Sequence, residues 1–264
     1  MKIAQLADIH THYDDRGPKD APTLLFANSL GTDFRLWDRV IDRLPEGLRL
    51  IRYDKRGHGL TTAPEPPYFM GDLVQDAGRL LDHLGVRDVV VVGLSIGGMI
   101  AQGLAAERLD LIRAMVVSNT AAKIGTTAMW EERIGAVRDG GVEALADATM
   151  ERWFGRKFRD HDPLTVGAFR NMMVRQPLQG YAGCAAAIGE TDLYESTARL
   201  KLPTLGIAGS EDGSTPPDLV RETTELVAGS RFHLIRGSGH LPCVDNPDEY
   251  TEVLMGFLKD IGHI

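Results

Sequence analysis

The sequence predicts an α/β fold, a mostly parallel central sheet with helices on both faces and an inserted helical segment. Three observations carry this reading. Short apolar runs recur along the chain, segments of helical spacing alternate with them, and the alternation breaks once, between about residues 123 and 195. Runs that are apolar nearly end to end suit strands covered on both faces. Strand alternating with helix at this pitch gives a parallel sheet. The predicted strands are Thr23–Ala27, Leu48–Tyr53, Val89–Val92, Ala114–Val117, Thr204–Ala208 and Phe232–Ile235.

Two of the intervening helices are plain. Leu73, Ala77, Leu80, Leu81 and Leu84 share one helical face, as do Tyr250, Val253, Leu254, Phe257, Leu258 and Ile261. The last helix carries a start signal: Asn246 as cap, Pro247 in the first turn, and Glu249 placed for a capping box. The stretch that breaks the alternation has helical patches (Glu131–Val137, Val142–Phe154, Pro163–Val174) and no strand. It begins and ends between sheet strands. The expected organisation is therefore a core formed by residues 1–122 and 196–264, with residues 123–195 inserted as a helical cap. No internal repeat, low-complexity tract or long linker interrupts this plan.

The chain has 264 residues, 29 basic and 37 acidic side chains and a net charge of −8. Its 43% hydrophobic and 25% charged residues are ordinary for a soluble globular protein. A chain this long buries roughly 70–75% of its unfolded surface. Net negative charge suits a polyanion poorly, so nucleic acid is not an expected partner. No apolar run approaches the ~18 residues of a membrane span. The opening residues carry Asp8, Asp14 and Asp15, unlike a signal peptide. Cys184 and Cys243 are the only cysteines, too few for a disulfide scaffold, and point to a cytoplasmic protein with two free thiols. No feature sets an oligomeric state.

Chemistry enters at Gly93-Leu-Ser95-Ile-Gly97, between the valine strand from Val89 and a helical run, Met99–Leu109. A serine at a sharp strand–helix turn holds its hydroxyl clear of the sheet, and glycines two before and two after let neighbouring backbone pass. Serine alone is a poor nucleophile and needs a base and an orienting acid. In this strand–turn–helix context the chain order is Ser, then Asp or Glu, then His. Asp212 follows the strand Thr204–Ala208 and His240 follows Phe232–Ile235, both just past C-terminal strand ends, where open α/β sheets place their sites. Glu211 is the competing acid. The backbone N–H of Ile96, next to the nucleophile, and that of Leu30, in the loop after Thr23–Ala27, are the expected oxyanion donors.

Other motifs compete with this reading. Asp8-Ile-His10-Thr-His12 looks like the metal-binding opening of amidohydrolase barrels, but no complete set of later ligands follows it. His58, in Arg56-Gly-His-Gly59, reads as a turn residue. Cys243 lies three residues past His240 and is placed to line a pocket, without an elbow that would make it a nucleophile.

With Ser95, Asp212 and His240 in view, the chain resembles the α/β-hydrolase superfamily over essentially its full length, and within it the 3-oxoadipate enol-lactonases. The segments that carry the closer resemblance are Asn28-Ser-Leu-Gly-Thr-Asp-Phe-Arg-Leu-Trp37, Arg52-Tyr-Asp-Lys-Arg-Gly-His-Gly59, Gly93-Leu-Ser-Ile-Gly-Gly98 and Ser118-Asn-Thr-Ala-Ala-Lys-Ile-Gly125. Asn28-Ser29 stands where many α/β-hydrolases have His-Gly, and Asn-Ser is what the lactonase group looks like. One departure is the end of the helix after the nucleophile, Ala-Glu-Arg-Leu-Asp110, which lacks the proline common there. Some relatives are fused to a carboxymuconolactone decarboxylase; this length leaves no room for one, so the lactonase alone is expected.

The resemblance implies hydrolysis of 3-oxoadipate enol-lactone to 3-oxoadipate in aromatic-compound catabolism, through a Ser–His–Asp acyl-enzyme and without metal or organic cofactor. A small anionic lactone on a −8 protein needs a local cation. Residues 151–175 hold six basic and three acidic side chains. Arg133, three residues past Trp130 on a helix, pairs a carboxylate clamp with an aromatic wall, so Trp130 and Arg133 are the expected substrate contacts. Dehalogenase chemistry needs an Asp where Ser95 stands. Two alternatives remain open: a serine carboxylesterase for another small ester or lactone, and a non-catalytic ligand-binding protein on the same fold.

Overall fold

The computed structural model describes residues 1–264. Its strands are β1 (Lys2–Leu6), β2 (Ile9–Arg16), β3 (Thr23–Ala27), β4 (Arg49–Tyr53), β5 (Val89–Leu94), β6 (Ile112–Ser118), β7 (Thr204–Gly209) and β8 (Arg231–Ile235). They form one sheet in the order β1-β2-β4-β3-β5-β6-β7-β8. From β4 to β8 every pairing is parallel; β1–β2 and β2–β4 are antiparallel. All six predicted strands are present within about two residues at either end. Val89–Leu94 is buried along its whole length, as an apolar central strand requires.

The antiparallel pair β1–β2 was not among the predicted strands, because β2 reads Ile-His-Thr-His-Tyr-Asp-Asp-Arg and contains no apolar run. Its acids are neutralised across the sheet: Asp15 meets Arg49 at 3.0 Å and Asp14 meets Arg52 at 2.8 Å, both arginines on β4. β8 also departs from expectation. It is an edge strand, and Arg231–Leu234 are exposed or half-buried, with only Ile235 buried. Its apolar residues therefore face one neighbour and not two.

The helices are α1 (Asp38–Ile41), α2 (Met70–His83), α3 (Ile96–Glu107), α4 (Thr127–Gly140), α5 (Ala146–Trp153), α6 (Arg156–His161), α7 (Pro163–Val174), α8 (Leu178–Gly189), α9 (Tyr194–Ala198), α10 (Pro217–Glu225), α11 (Pro242–Asp245) and α12 (Pro247–Asp260). α2 buries Leu73, Ala77, Leu80 and Leu81, and α12 buries Tyr250, Leu254, Phe257 and Leu258, the stripes their spacing predicts. α12 starts after Asn246, but the expected capping box does not form. The Asn246 amide donates to the Glu249 carboxylate at 2.9 Å, and no backbone N–H is capped by its side chain.

Between β6 and β7 the chain is helical throughout, α4 to α9, with α4 packed on α8 and α5 on α7. The sequence patches locate α4, α5 and α7. α8 is invisible to periodicity, since Leu-Gln-Gly-Tyr-Ala-Gly-Cys-Ala-Ala-Ala-Ile-Gly is small and apolar on all sides and is almost wholly buried. No helix of the chain is long and apolar enough to cross a membrane.

Strand register sets the functional rim. Ala27 lies opposite Gly93, Leu94 opposite Ser118, and Ser118 opposite Ile207. The C-terminal ends of β3, β5, β6 and β7 therefore finish together, beside the point where the chain has filled β4 on one side of β3 and turns to β5 on the other. Open α/β sheets form their crevice at such a switch point.

Candidate active site

Ser95 joins β5 to α3 with φ 59° and ψ −122°, a region that L-residues avoid. Two glycines make this turn possible. A Cβ at Gly93 would collide with the Gly97 carbonyl, and one at Gly97 with the Ala27 carbonyl. The strained residue is held on both sides. Its N–H donates to Ser118 O at 2.9 Å, and its carbonyl accepts from the Gly98 N–H at 2.8 Å and the Thr120 hydroxyl at 2.6 Å. Strain of this kind costs about 1–3 kcal/mol and persists where surrounding structure enforces it. Ser95→Gly is therefore expected to raise the unfolding free energy by about 1 kcal/mol while abolishing activity, with urea unfolding as the measurement. A stability loss would mean that the turn is unstrained.

Asp212, in the loop after β7, accepts five hydrogen bonds. Oδ2 takes the His240 Nδ1–H at 2.8 Å, the Asn119 amide at 2.8 Å and the Thr215 hydroxyl at 2.7 Å. Oδ1 takes the backbone N–H groups of Ser214 at 2.7 Å and Thr215 at 3.1 Å. Burial alone would raise the pKa of this carboxyl. The His240 charge and the bonds from His240, Asn119 and Thr215 outweigh it and hold the group below the usual carboxylate range. Glu211, the competing acid, is exposed and accepts the Arg156 N–H at 2.7 Å instead. His240 is buried, and both of its side-chain hydrogen bonds lie on the Nδ1 side, to Asp212 and to Thr215. Its Nε2 is left unengaged.

Ser95, His240 and Leu30 line one cavity of about 470 Å³. The two expected oxyanion donors share a property: neither the Leu30 nor the Ile96 N–H reaches an acceptor within the protein, although both residues are buried. Ile96 is the first residue of α3, so its N–H also sits at the positive end of a helix dipole.

The opposite wall comes from the inserted helices. Trp130 and Arg133 of α4, the expected substrate contacts, line the cavity, and Arg152, Trp153 and Tyr181 line it with them. Arg133 donates to the Tyr181 hydroxyl through Nε at 3.0 Å and Nη2 at 2.7 Å, and its guanidinium lies 5.8 Å from the Trp130 ring centroid. Arg152 bonds Thr149 Oγ1 at 3.2 Å, the same hydroxyl that Arg133 reaches at 3.4 Å. Neither guanidinium has a carboxylate partner. Burial, then the charge of Arg133, pull the pKa of Arg152 down. Glu132 is the one carboxylate among the lining residues and is exposed. A larger groove, about 610 Å³ between α7 and the loop after β3, contains none of Ser95, Asp212 or His240.

The competing motifs are taken up elsewhere. His12 Nδ1 pairs with Asp54 at 2.7 Å and His10 Nε2 with Gln5 at 2.6 Å, and no three His, Cys, Asp or Glu residues are grouped to hold a metal. Cys243 does not line the cavity. Its thiol is fully buried against the Leu36 carbonyl, and burial pushes its pKa well up. His58 is wholly buried and accepts the Gly31 N–H at 2.9 Å. Asn119, Thr215, Thr149 and Tyr181 were given no role from sequence. Asn119 alone had a signal, its place after the β6 run within a family segment, and its φ of 44° marks a second unusual backbone position at the rim.

Three comparisons bear on this geometry. A 3-oxoadipate enol-lactonase of Acinetobacter baylyi is 32% identical over 252 residues, 96% of this chain and 94% of that protein. The crystal structure of the enol-lactonase from Burkholderia xenovorans superposes with a TM-score of 0.94 at 33% identity, covering 98% of this chain and 100% of that one. A thermophilic esterase from Thermogutta terrifontis, solved with malate bound, superposes with a TM-score of 0.90 at 26% identity over 99% of this chain and 98% of that one. The family described by the alpha/beta hydrolase fold matches residues 22–247, and the chain belongs to that family.

Proposed function

We propose that the chain hydrolyses 3-oxoadipate enol-lactone, or a close anionic analogue, through an acyl-enzyme on Ser95. The observation that carries this reading is the cavity itself, where Ser95 and His240 face two guanidiniums, Arg133 and Arg152, that the chain leaves without a carboxylate. A substrate carboxylate would supply the missing partner, and charge-assisted bonds to it would hold the ring over Ser95.

The chemistry then follows from the groups present. Ser95 Oγ attacks the ring carbonyl as His240 Nε2 takes its proton, and Asp212 holds the imidazolium through Nδ1. The tetrahedral oxyanion accepts the free Leu30 and Ile96 N–H groups. The ring C–O bond breaks and the enol oxygen leaves, taking the proton back from His240. An enol is a better leaving group than an alkanol, and its tautomerisation to the ketone draws the step forward. A water deprotonated by His240 then attacks the acyl-enzyme, and its collapse frees Ser95 and 3-oxoadipate. In this reading residues 123–195 act as a cap that selects the substrate, and the product belongs to aromatic-compound catabolism.

Arg133→Ala and Arg152→Ala are each expected to raise the KM for the acidic lactone about 10- to 100-fold, the worth of a bond to a charged group. The KM for a neutral ester such as p-nitrophenyl acetate should change less than about twofold. Equal loss on both substrates would remove the arginines from carboxylate binding and favour a carboxylesterase with another small substrate.

A further inference from the structure

The loop bearing Leu30 rests on two side chains to which the proposed chemistry gives no part. Lys55, in the connection between β4 and α2, is 2% exposed, yet its ammonium meets no carboxylate. It donates to two backbone carbonyls, Ser29 O at 2.6 Å and Thr32 O at 3.3 Å. Burying an ammonium without an ion pair is costly, and an apolar side chain would fill the same space without that cost. Three residues on, His58 Nε2 accepts the Gly31 N–H at 2.9 Å.

The Ser29 carbonyl and the Leu30 N–H belong to one peptide group. A trans peptide is planar and points its C=O and N–H in opposite directions. Fixing the oxygen behind the loop therefore fixes the N–H in front of it. Besides Lys55, the Ser29 oxygen accepts the Thr32 hydroxyl at 2.9 Å and the Thr32 N–H at 3.3 Å. A cation on an amide oxygen also polarises the amide, and in a low-dielectric interior such bonds strengthen one another along the chain. The Leu30 N–H at the far end of this relay is the one with no protein acceptor.

We propose that Lys55 is a positioning residue of the reaction, its buried ammonium orienting and polarising the Ser29–Leu30 peptide so that the Leu30 N–H meets the developing oxyanion, with His58 holding the next peptide in place. The inference rests on the assignment of Leu30 as an oxyanion donor. Charge behind the donor acts in proportion to the charge on the bound oxygen. The neutral carbonyl of the ground state gains little from it and the tetrahedral oxyanion gains more, so the effect falls on kcat and not on KM.

Four titratable groups face the ammonium: Asp54 and His58 on its own connection, Asp33 in the loop after β3, and Cys184 on α8. Burial pulls the pKa of Lys55 down to about 8, against the opposing pull of Cys184, Asp54 and Asp33. His58 stays neutral, its pKa held well below the ordinary value by burial and by the Lys55 charge. The ammonium is thus present below about pH 8 and lost as pH rises through that value.

The test is the hydrolysis of p-nitrophenyl acetate by wild type, Lys55→Met and Lys55→Gln across this pH range, with fluorophosphonate labelling of Ser95 alongside. Lys55→Met is expected to lose about 10- to 50-fold in kcat with KM within about twofold, somewhat less than deletion of an oxyanion donor itself. Labelling should slow in parallel. Lys55→Gln, which keeps a donor but no charge, should recover part of the loss. Wild-type kcat should fall several-fold above about pH 8, and neither variant should show that fall. The inference is overturned if Lys55→Met keeps kcat within about twofold of wild type. It is overturned equally if the alkaline fall persists in both variants, or if kcat, KM and thermal stability decline together in both. Should Lys55→Met fail to fold, the Lys55→Gln and wild-type pH profiles decide it. If wild-type Ser95 is not labelled and the ester is untouched, the hydrolase chemistry fails and the inference with it. Labelling of all three proteins at one rate would sink the role of Lys55 alone.

Discussion

Ser95→Ala is expected to lower kcat/KM by about 10⁵–10⁶, and His240→Ala by about as much, with the double variant no worse than either. In the proposed mechanism the two side chains act in one event. Without the hydroxyl there is no acyl-enzyme, and without Nε2 the hydroxyl keeps its proton. On that mechanism, binding at Arg133 and Arg152 and polarisation of the carbonyl by Leu30 and Ile96 would survive, a residual worth about 10³–10⁴ over water. Both variants should still bind the product, since neither change touches the arginines. Kinetics of the two single variants and the double variant, with product titration, are the measurements. Losses that multiply in the double variant would mean that Ser95 and His240 act independently.

Asp212→Asn is expected to cost about 10³–10⁴ in kcat. The five bonds to Asp212 are all donated to it, three to Oδ2 and two to Oδ1. An amide has one accepting oxygen. If that oxygen stays with the Ser214 and Thr215 N–H groups, the amide nitrogen faces Asn119, Thr215 and His240 Nδ1. His240 can then meet it only by accepting at Nδ1, which places its proton on Nε2 and removes the base from Ser95. Burying opposed donors also costs about 1–3 kcal/mol of stability. A kcat loss under about tenfold would show that the imidazole is oriented by something other than this carboxylate.

The positions of Ser95, Asp212 and His240, the proposed triad, were legible because the features that mark them are local. A strand followed by Gly-Leu-Ser95-Ile-Gly, an adjacent pair of acids, Glu211 and Asp212, past one later strand, and a histidine past the next, each fit within ten residues. The parallel strands were legible for the same reason, as unbroken apolar runs. Long-range pairing was not. Nothing near Arg133 announces Tyr181, 48 residues away on a helix of small residues, and nothing near Asp212 announces Asn119. β2 escaped because its acids find arginines only across the sheet. His58 reads as a turn residue and Lys55 carries no signal beyond its place in the Arg52–Gly59 segment, because the significance of both depends on which face of a peptide group they hold from behind, which spacing along the chain does not express.

Arg152 belongs with the features that spacing alone could not single out. It stood among six basic residues in 151–175, of which Arg170 pairs with Glu143 and Asp147 and Arg159 bonds backbone carbonyls. Only the folded chain brings Arg152 beside Arg133 over a shared threonine and leaves both without a carboxylate.

The most direct measurement is the loss of ultraviolet absorbance of freshly made 3-oxoadipate enol-lactone, with wild type and Ser95→Ala side by side and a neutral ester as comparison. The expected result is rapid decay with wild type, a strong preference for the lactone over the ester, and decay at the spontaneous rate with Ser95→Ala. Wild type that ignores the lactone while cleaving neutral esters through Ser95 would contradict the assignment of the two arginines and of the substrate.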